Sequence, residues 1–160
     1  MPTPTFIREL RAKIGHDLIM MTTVAAVIRT MSDEIVLHRR SDNGIWSLPG
    51  GSIEPGEEPA EAVMREAFEE TGLQVAPRRI VGVYGGTSHV GEYPNGDKFA
   101  IINLTFACDI VGGEIQANND ESLDVAYFPL SALPESLDAR HRIRIEHAIT
   151  RTTPYFKFPV

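Results

Sequence analysis

Apolar side chains recur along the chain at two spacings, one typical of helices and one typical of strands. Residues 5–14 place them three or four positions apart and precede Gly15, which predicts a short helix ending at that glycine. The helical spacing returns at about residues 135–151, where we predict a C-terminal helix. A third helix is expected between Pro59 and Gly72, because proline suits the first helical turn and glycine suits the left-handed residue after the last.

Runs of β-branched and aromatic residues predict the strands. Residues 22–29 and 34–40 are of strand length and are joined by a short polar link, so we expect these two strands to pair. Residues 73–88 predict a strand interrupted near Pro77, and residues 98–113 predict the longest strand. The remaining signals are a short strand around Trp46, a Pro-Asn-Gly hairpin turn at 94–96 and a last strand over 125–130.

Length and composition predict one domain. A chain of 160 residues can bury a sizeable core but is too short to favour two domains, and 42% hydrophobic with 23% charged residues is ordinary globular composition. We therefore predict a single mixed α/β domain over residues 1–160, with helices covering a strand-rich sheet. No apolar run reaches the roughly 20 residues that cross a bilayer, so no membrane association is expected.

Charge and cysteine content narrow the function classes. The net charge of −7 argues against broad binding to nucleic-acid backbones, but an acidic site can bind a small polyphosphate through divalent cations. Cys108 is the only cysteine and alternates in phase with Leu104 and Phe106, so we predict that it is a core residue. Because no internal disulfide is possible and no secretory signal is apparent, a cytoplasmic location is expected.

Residues 51–73, GSIEPGEEPAEAVMREAFEETGL, contain seven glutamates and a single arginine. On a helix, Glu66, Glu69 and Glu70 would lie along one border of an apolar stripe that we expect to be buried. Such close carboxylates repel one another, and Arg65 offsets only part of their charge. The apolar stripe that we expect this helix to bury consists of Ala60, Val63, Met64, Ala67 and Phe68.

Either a bound cation or solvent must compensate this charge. Mg²⁺ and Mn²⁺ are hard cations that take oxygen ligands, whereas the alternative is a solvated acidic helix face. The preceding turn, LPGGSIEPGEE, favours a ligand site because its glycine-rich backbone can present free N–H and C=O groups.

The same stretch resembles the Nudix box, the sequence motif of the Nudix hydrolases. Leu73 fills its last aliphatic position, and Ala67 is smaller than the usual aliphatic residue. The resemblance implies an α/β/α sandwich with a mixed sheet and covers most of the chain. Every fixed position of the box is matched, by Gly51, Glu57, Arg65, Glu66, Glu69, Glu70 and Gly72.

The resemblance also implies a reaction and a cofactor. Nudix hydrolases use water and a divalent metal, here Mg²⁺ or Mn²⁺, to cleave a nucleoside diphosphate linked to another group. Arg65 would orient the glutamates, and Glu57 would brace the loop. The implied metal ligands are the carbonyl of Gly51 and the carboxylates of Glu66, Glu69 and Glu70.

The general base and the substrate contacts are left open. In the family the base is either a box glutamate, such as Glu66 or Glu69, or an acid on a distant loop. Arg40 resembles a phosphate-binding arginine of the family. The loop acids that could act here are Glu121, Glu92 and Asp97, each of which could instead face solvent, and His89 and Tyr93 could either stack on the nucleotide or pack in their turn.

Substrate markers downstream of the box are incomplete. ADP-sugar hydrolases usually carry a proline where this chain has Ser88 and His89, and Tyr93 lies late for the tyrosine of dinucleoside polyphosphate hydrolases. By elimination we expect a nucleoside triphosphate hydrolase that releases pyrophosphate, with ADP-ribose or another nucleoside diphosphate sugar as the alternative. A non-catalytic nucleotide-sensing domain is the alternative from another class, although such domains would be expected to lose box glutamates.

The oligomeric state is also open at this level. Apolar residues in the N-terminal helix and in the tail TPYFKFPV could cover a partner subunit or pack on their own domain. Because many members of the family are dimers, the resemblance favours a homodimer.

Overall fold

The computed structural model describes residues 3–117 and 120–158, which form three α-helices, two short 3₁₀ helices and seven strands. The α-helices are α1 (Thr5–Ile14), α2 (Pro59–Thr71) and α3 (Ala139–Thr150). The strands are β1 (Ile19–Ile28), β2 (Glu34–Arg40), β3 (Trp46–Ser47), β4 (Leu73–Tyr84), β5 (Val90–Glu92), β6 (Lys98–Gly113) and β7 (Ser122–Pro129).

The strands form two sheets. In the larger sheet, β6 lies between β1, which runs parallel to it, and β4, which runs antiparallel; β5 pairs with the first residues of β6. The smaller sheet is antiparallel and has the order β3-β2-β7. The register of β4 shifts between Pro77 and Arg79, at the predicted interruption.

The expected pairing of the first two strands is wrong. β1 pairs with β6 along its whole length and β2 pairs with β7, while an isolated bridge joins Arg29, just after β1, to Ile35 of β2. The reason lies at the other edge of β1, where the backbone N–H of Val24 donates to the carbonyl of Gly51 at 2.8 Å. The glycine-rich loop therefore occupies the edge at which β2 would have paired.

Helices α2 and α3 cover opposite faces of β1. Ala26 and Ile28 pack in a core cluster with α2, whereas Ala25 and Val27 pack in a second cluster with Ile145 of α3. Because residues 24–28 of β1 are buried on both faces, this half of the strand is apolar without alternation. This arrangement confirms the predicted α/β/α sandwich with a mixed sheet.

The C-terminal helix begins later than predicted. The side chain of Asp138 accepts a hydrogen bond of 2.8 Å from the backbone N–H of Arg140, so it caps a helix that starts at Ala139. Residues 135–138 form a turn rather than a helical first turn.

Cys108 is a core residue, as predicted. It is 3% exposed, and burial raises the pKa of its thiol to about 12, which keeps it in the unreactive protonated form. None of the helices in the described ranges is both long and apolar enough to cross a membrane.

Candidate active site

Helix α2 is stabilised at both ends by residues of the acidic stretch. Glu58 is the N-cap residue, and it forms a reciprocal capping box with Glu61; Pro59 occupies the first helical position. Gly72 adopts a left-handed conformation with φ of 77°, as its place after the last turn predicts. Helix propensity and capping therefore place the box glutamates on consecutive turns of one helix.

The buried face of α2 differs from the expected stripe. Met64 and Phe68 are 46% and 53% exposed, whereas Glu66 and Glu70 are buried. The helix is therefore rotated about its axis so that two carboxylates, rather than two large apolar side chains, face the protein. The residues that α2 buries are Ala62, Val63, Glu66, Ala67, Glu70 and Thr71.

Glu70 is buried beside the other box glutamates and is only 1% exposed. One of its carboxylate oxygens accepts a hydrogen bond of 2.7 Å from the backbone N–H of Gly50 and lies 3.4 Å from Nε2 of His38. Burial raises the pKa of Glu70 well above its ordinary value. The hydroxyl of Ser122 donates to the backbone carbonyl of Glu70 at 2.9 Å and lies 2.8 Å from Nδ1 of His38.

The sequence patterns did not predict Gly50, His38 and Ser122 as partners of Glu70. A Cβ at Gly50 would lie 2.1 Å from the carbonyl oxygen of Val24, so only glycine lets the loop approach β1 closely enough to reach Glu70. The adjacent glycines Gly50 and Gly51 are a sequence feature that indicates a close backbone approach. His38 and Ser122 carried no local signal, because their partners are distant in sequence.

Arg65 organises the remaining acids. Its Nε and Nη2 donate to the two carboxylate oxygens of Glu57 at 2.8 and 2.9 Å, and its Nη1 donates to Glu66 at 2.9 Å. Nη1 also lies 3.4 Å from Glu69, and Nη2 donates to the carbonyl of Ser52 at 3.1 Å. The bond to Arg65 lowers the pKa of Glu57, and that of Arg65 is raised in turn.

Glu121 is the loop acid that the fold brings to the box glutamates. It lines a cavity of about 380 Å³ together with Glu54, Arg65, Glu66 and Glu69. Its Oε2 is buried and has no hydrogen-bond partner among the residues that the structure describes. An unpaired carboxylate oxygen in an acidic cavity is a candidate either for holding a cation or for accepting a proton.

The other two loop acids lie elsewhere. Asp97 accepts from His16 at 2.7 Å and pairs with Arg11 at 3.6 Å. Glu92 is exposed and stands opposite Lys98 in the β5–β6 pair. Both therefore belong to the hairpin and its contact with α1.

The predicted substrate-binding side chains have protein partners. Arg40 makes a bidentate pair with Asp42 at 2.9 and 2.5 Å, and this bond raises its pKa. His89 is buried, with Nε2 3.1 Å from Arg144, which agrees with packing rather than stacking on a ligand. The ring of Tyr93 lies 4.5 Å from that of Phe99 and remains partly exposed.

The donor set suits a hard divalent cation by chemical type. The cavity is acidic, Glu66 and Glu70 have raised pKa values, and Glu121 presents an unpaired oxygen, so added positive charge would stabilise all three. The carbonyl of Gly51 already accepts from Val24, which leaves one lone pair for a metal. Across residues 3–117 and 120–158, no three His, Cys, Asp or Glu side chains converge as a preassembled ligand set.

The pKa of Glu66 predicts a pH-dependent stability in the absence of metal. Burial raises it from 4.5 to about 7, so the folded state holds a proton that the unfolded chain has released. The resulting stabilisation is present below pH 4.5 and is lost as the pH rises through 7. We expect metal-free Glu66→Gln to exceed the wild type by about 3 kcal/mol in unfolding free energy at pH 8, and by far less at pH 5.

Urea denaturation with a chelator at both pH values measures this difference. The same substitution at Glu146, exposed on α3, is the control. A difference between wild type and Glu66→Gln that does not widen between pH 5 and pH 8 would show that Glu66 is not a buried, protonatable group.

The chain is similar in sequence and in structure to known proteins. A family model described as NUDIX domain matches residues 20–148. The chain is 31% identical over 135 residues to a MutT-like protein of Streptomyces ambofaciens, covering 84% of this chain and 80% of that protein. It is 38% identical over 106 residues to an ADP-ribose pyrophosphatase of Methanocaldococcus jannaschii, covering 64% of this chain and 59% of that protein. The crystal structure of a MutT NUDIX hydrolase from Burkholderia pseudomallei is similar with a TM-score of 0.65 and 26% identity, over 81% of this chain and 98% of that one.

Proposed function

Because the chain belongs to the Nudix family and is therefore a pyrophosphohydrolase, we propose that it converts a nucleoside triphosphate into a nucleoside monophosphate and pyrophosphate. The observation that carries the hydrolysis is the cavity lined by Glu66, Glu69 and Glu121, with Glu70 buried beside them. The triphosphate is proposed by elimination, because the sequence markers of the other substrate classes are incomplete. In the hydrolysis, the water oxygen bonds to phosphorus and gives its proton to a base, while the bridging P–O bond between the α- and β-phosphates breaks and its electron pair leaves with the displaced group, so that a nucleoside monophosphate and pyrophosphate form.

We propose Mg²⁺ or Mn²⁺ as the cofactor, since Nudix hydrolases generally use divalent metal ions. Such ions neutralise phosphate charge and make a bound water more acidic. Arg65 orients Glu66 and Glu69 and, through Glu57, holds the loop that carries Ser52. The proposed ligands are the carboxylates of Glu66, Glu69 and Glu70 and the carbonyl of Gly51.

Glu121 is the proposed general base outside the box. Glu121 lines the same cavity as Glu66, and its carboxylate has an oxygen without a hydrogen-bond partner among the described residues, so it is available to accept the proton of the attacking water. Arg40 is the proposed phosphate ligand near this site. To bind phosphate, its guanidinium must share or exchange the carboxylate of Asp42.

A second candidate substrate is ADP-ribose. The specific observation in its favour is the 38% identity to the archaeal ADP-ribose pyrophosphatase, although the match covers 59% of that protein. Against it, Ser88 and His89 stand where ADP-sugar hydrolases usually carry a proline. Nucleotide sensing without turnover is disfavoured because every box glutamate is present.

Product identification decides between these substrates. Purified protein with Mg²⁺ is incubated with a panel of nucleoside triphosphates and nucleoside diphosphate sugars, and the products are identified by mass spectrometry. We expect a nucleoside monophosphate and pyrophosphate. AMP and ribose 5-phosphate as the main products would instead assign ADP-ribose, and tight nucleotide binding without any product would support the sensing role.

We also infer a cytoplasmic homodimer that does not bind nucleic acid broadly. The negative net charge supports the absence of broad nucleic-acid binding. The buried, free Cys108 supports the cytoplasmic location. Ile7 of α1 is buried, and Tyr155 in the tail bridges to Gly82, so both segments pack partly on their own domain. Large apolar side chains that remain exposed on these segments are Leu10, Ile14, Phe156 and Phe158.

A further inference from the structure

A cation outside the Nudix box lines the cavity that holds the glutamates. Arg8 lies in α1 and precedes the box by more than forty residues. Helix α1 therefore contributes a wall of the site that the motif does not include. The part of the cavity that this N-terminal segment lines consists of Thr3, Pro4, Thr5 and Arg8.

Helix α1 is attached to the rest of the domain, so it can present Arg8 in a defined place. Ile7, the residue before Arg8, is 5% exposed. Arg11, one turn further along, donates to the backbone carbonyl of Lys98 at 2.7 Å and to that of Asp17 at 2.6 Å. These contacts anchor the helix to β6.

The guanidinium of Arg8 is available to an anion. Its Nη2 donates to the hydroxyl of Thr5 at 3.0 Å, and within the described residues it forms no ion pair. Arg65, the other cation on the cavity, is bound to Glu57, Glu66 and Glu69. A guanidinium carries five N–H donors, so Arg8 retains donors for a phosphate.

We propose that Arg8 binds the terminal phosphate of a nucleoside triphosphate and thereby favours triphosphates over nucleoside diphosphate sugars. This inference rests on the proposed function. A triphosphate carries an additional anionic phosphate on the leaving side of the cleaved bond, whereas a diphosphate sugar carries a neutral sugar there. Arginine matches phosphate in geometry and charge, so the two substrate classes differ in the group that Arg8 would contact.

The test compares Arg8→Gln with the wild type on a nucleoside triphosphate and on ADP-ribose. We expect KM for the triphosphate to rise about tenfold with kcat unchanged, because one charge-assisted hydrogen bond is worth about a factor of ten in binding. KM for ADP-ribose should stay constant. Lys13→Gln is the matched control, since it removes one positive charge from the exposed last turn of the same helix.

A binding measurement separates this inference from the proposed function. Calorimetric titration with α,β-methylene-ATP and Mg²⁺ should show about tenfold weaker binding to Arg8→Gln than to the wild type and to Lys13→Gln. Equal affinity of all three proteins would overturn the role of Arg8, whatever the wild type hydrolyses. An equal loss on both substrates would overturn it too, whereas a wild type without turnover would refute only the proposed function.

Discussion

Glu70→Gln should strongly reduce turnover while making the metal-free protein more stable. The carboxylate of Glu70 is almost completely buried, and burial holds its pKa well above the ordinary value, so its negative charge is unfavourable in the folded state. Glutamine has the same shape and can still accept the hydrogen bond from Gly50. It carries no charge with which to hold a divalent cation.

The expected size of the catalytic loss is about 10³-fold in kcat, since charge stabilisation by a metal is worth several kcal/mol. The expected gain in stability is a higher Tm of Glu70→Gln than of the wild type at pH 8 in the presence of a chelator. Stability increases at this pH because the substitution removes an ionisable carboxyl group whose negative charge is disfavoured by folding. Steady-state kinetics with Mg²⁺ and thermal denaturation without it measure the two effects.

Glu146→Gln, on the exposed side of α3, is the matched control and should leave both quantities near wild type. If Glu70→Gln retained activity, Glu70 would not be part of the metal site. If it lost activity and stability together, the variant would be misfolded, and the charge at Glu70 would be a structural requirement.

Arg65→Lys should lower both stability and activity, although the charge is kept. Arg65 makes a bidentate pair with Glu57 and separate bonds to Glu66 and to the carbonyl of Ser52. A lysine ammonium is a single point of positive charge and cannot reach partners on both sides of the planar guanidinium. Glu66 would then lose a partner while it remains buried.

We expect a loss of about 2 kcal/mol in unfolding free energy, since a buried carboxylate is left without its partner. We expect a loss of about 100-fold in kcat, because small displacements of catalytic groups have effects of this size. Denaturant titration and kinetics at saturating substrate check the two numbers.

Arg78→Lys is a closely matched control, because Arg78 also pairs with a carboxylate, that of Asp109 at 2.7 Å, but both side chains are more than half exposed. It should cost less than about 0.5 kcal/mol and leave kcat unchanged. Equal effects of the two substitutions would mean that Arg65 forms an ordinary surface ion pair rather than organising the site.

The sequence by itself determined the local elements and the chemistry of the box. The limits of α2 follow from Glu58, Pro59 and Gly72, which act within one or two turns and therefore leave a readable local pattern. The spacing of the acids places them on one helix for the same reason, and the match to the Nudix box implies a metal site there. The strands β2 and β6 were predicted over their observed residues, since β-branched runs report burial directly.

Only the tertiary structure decided which side chains meet. Hydrophobic spacing placed Met64 and Phe68 inside, yet the fold buries Glu66 and Glu70, and the loop of Gly50 supplies a partner for Glu70 that no helix-level pattern contains. The pairing of β1 with β6, the approach of Glu121 to the box and the place of Arg8 in the cavity likewise join segments that are distant in sequence. Such contacts depend on how the layers pack, and packing is a property of the whole chain rather than of any segment.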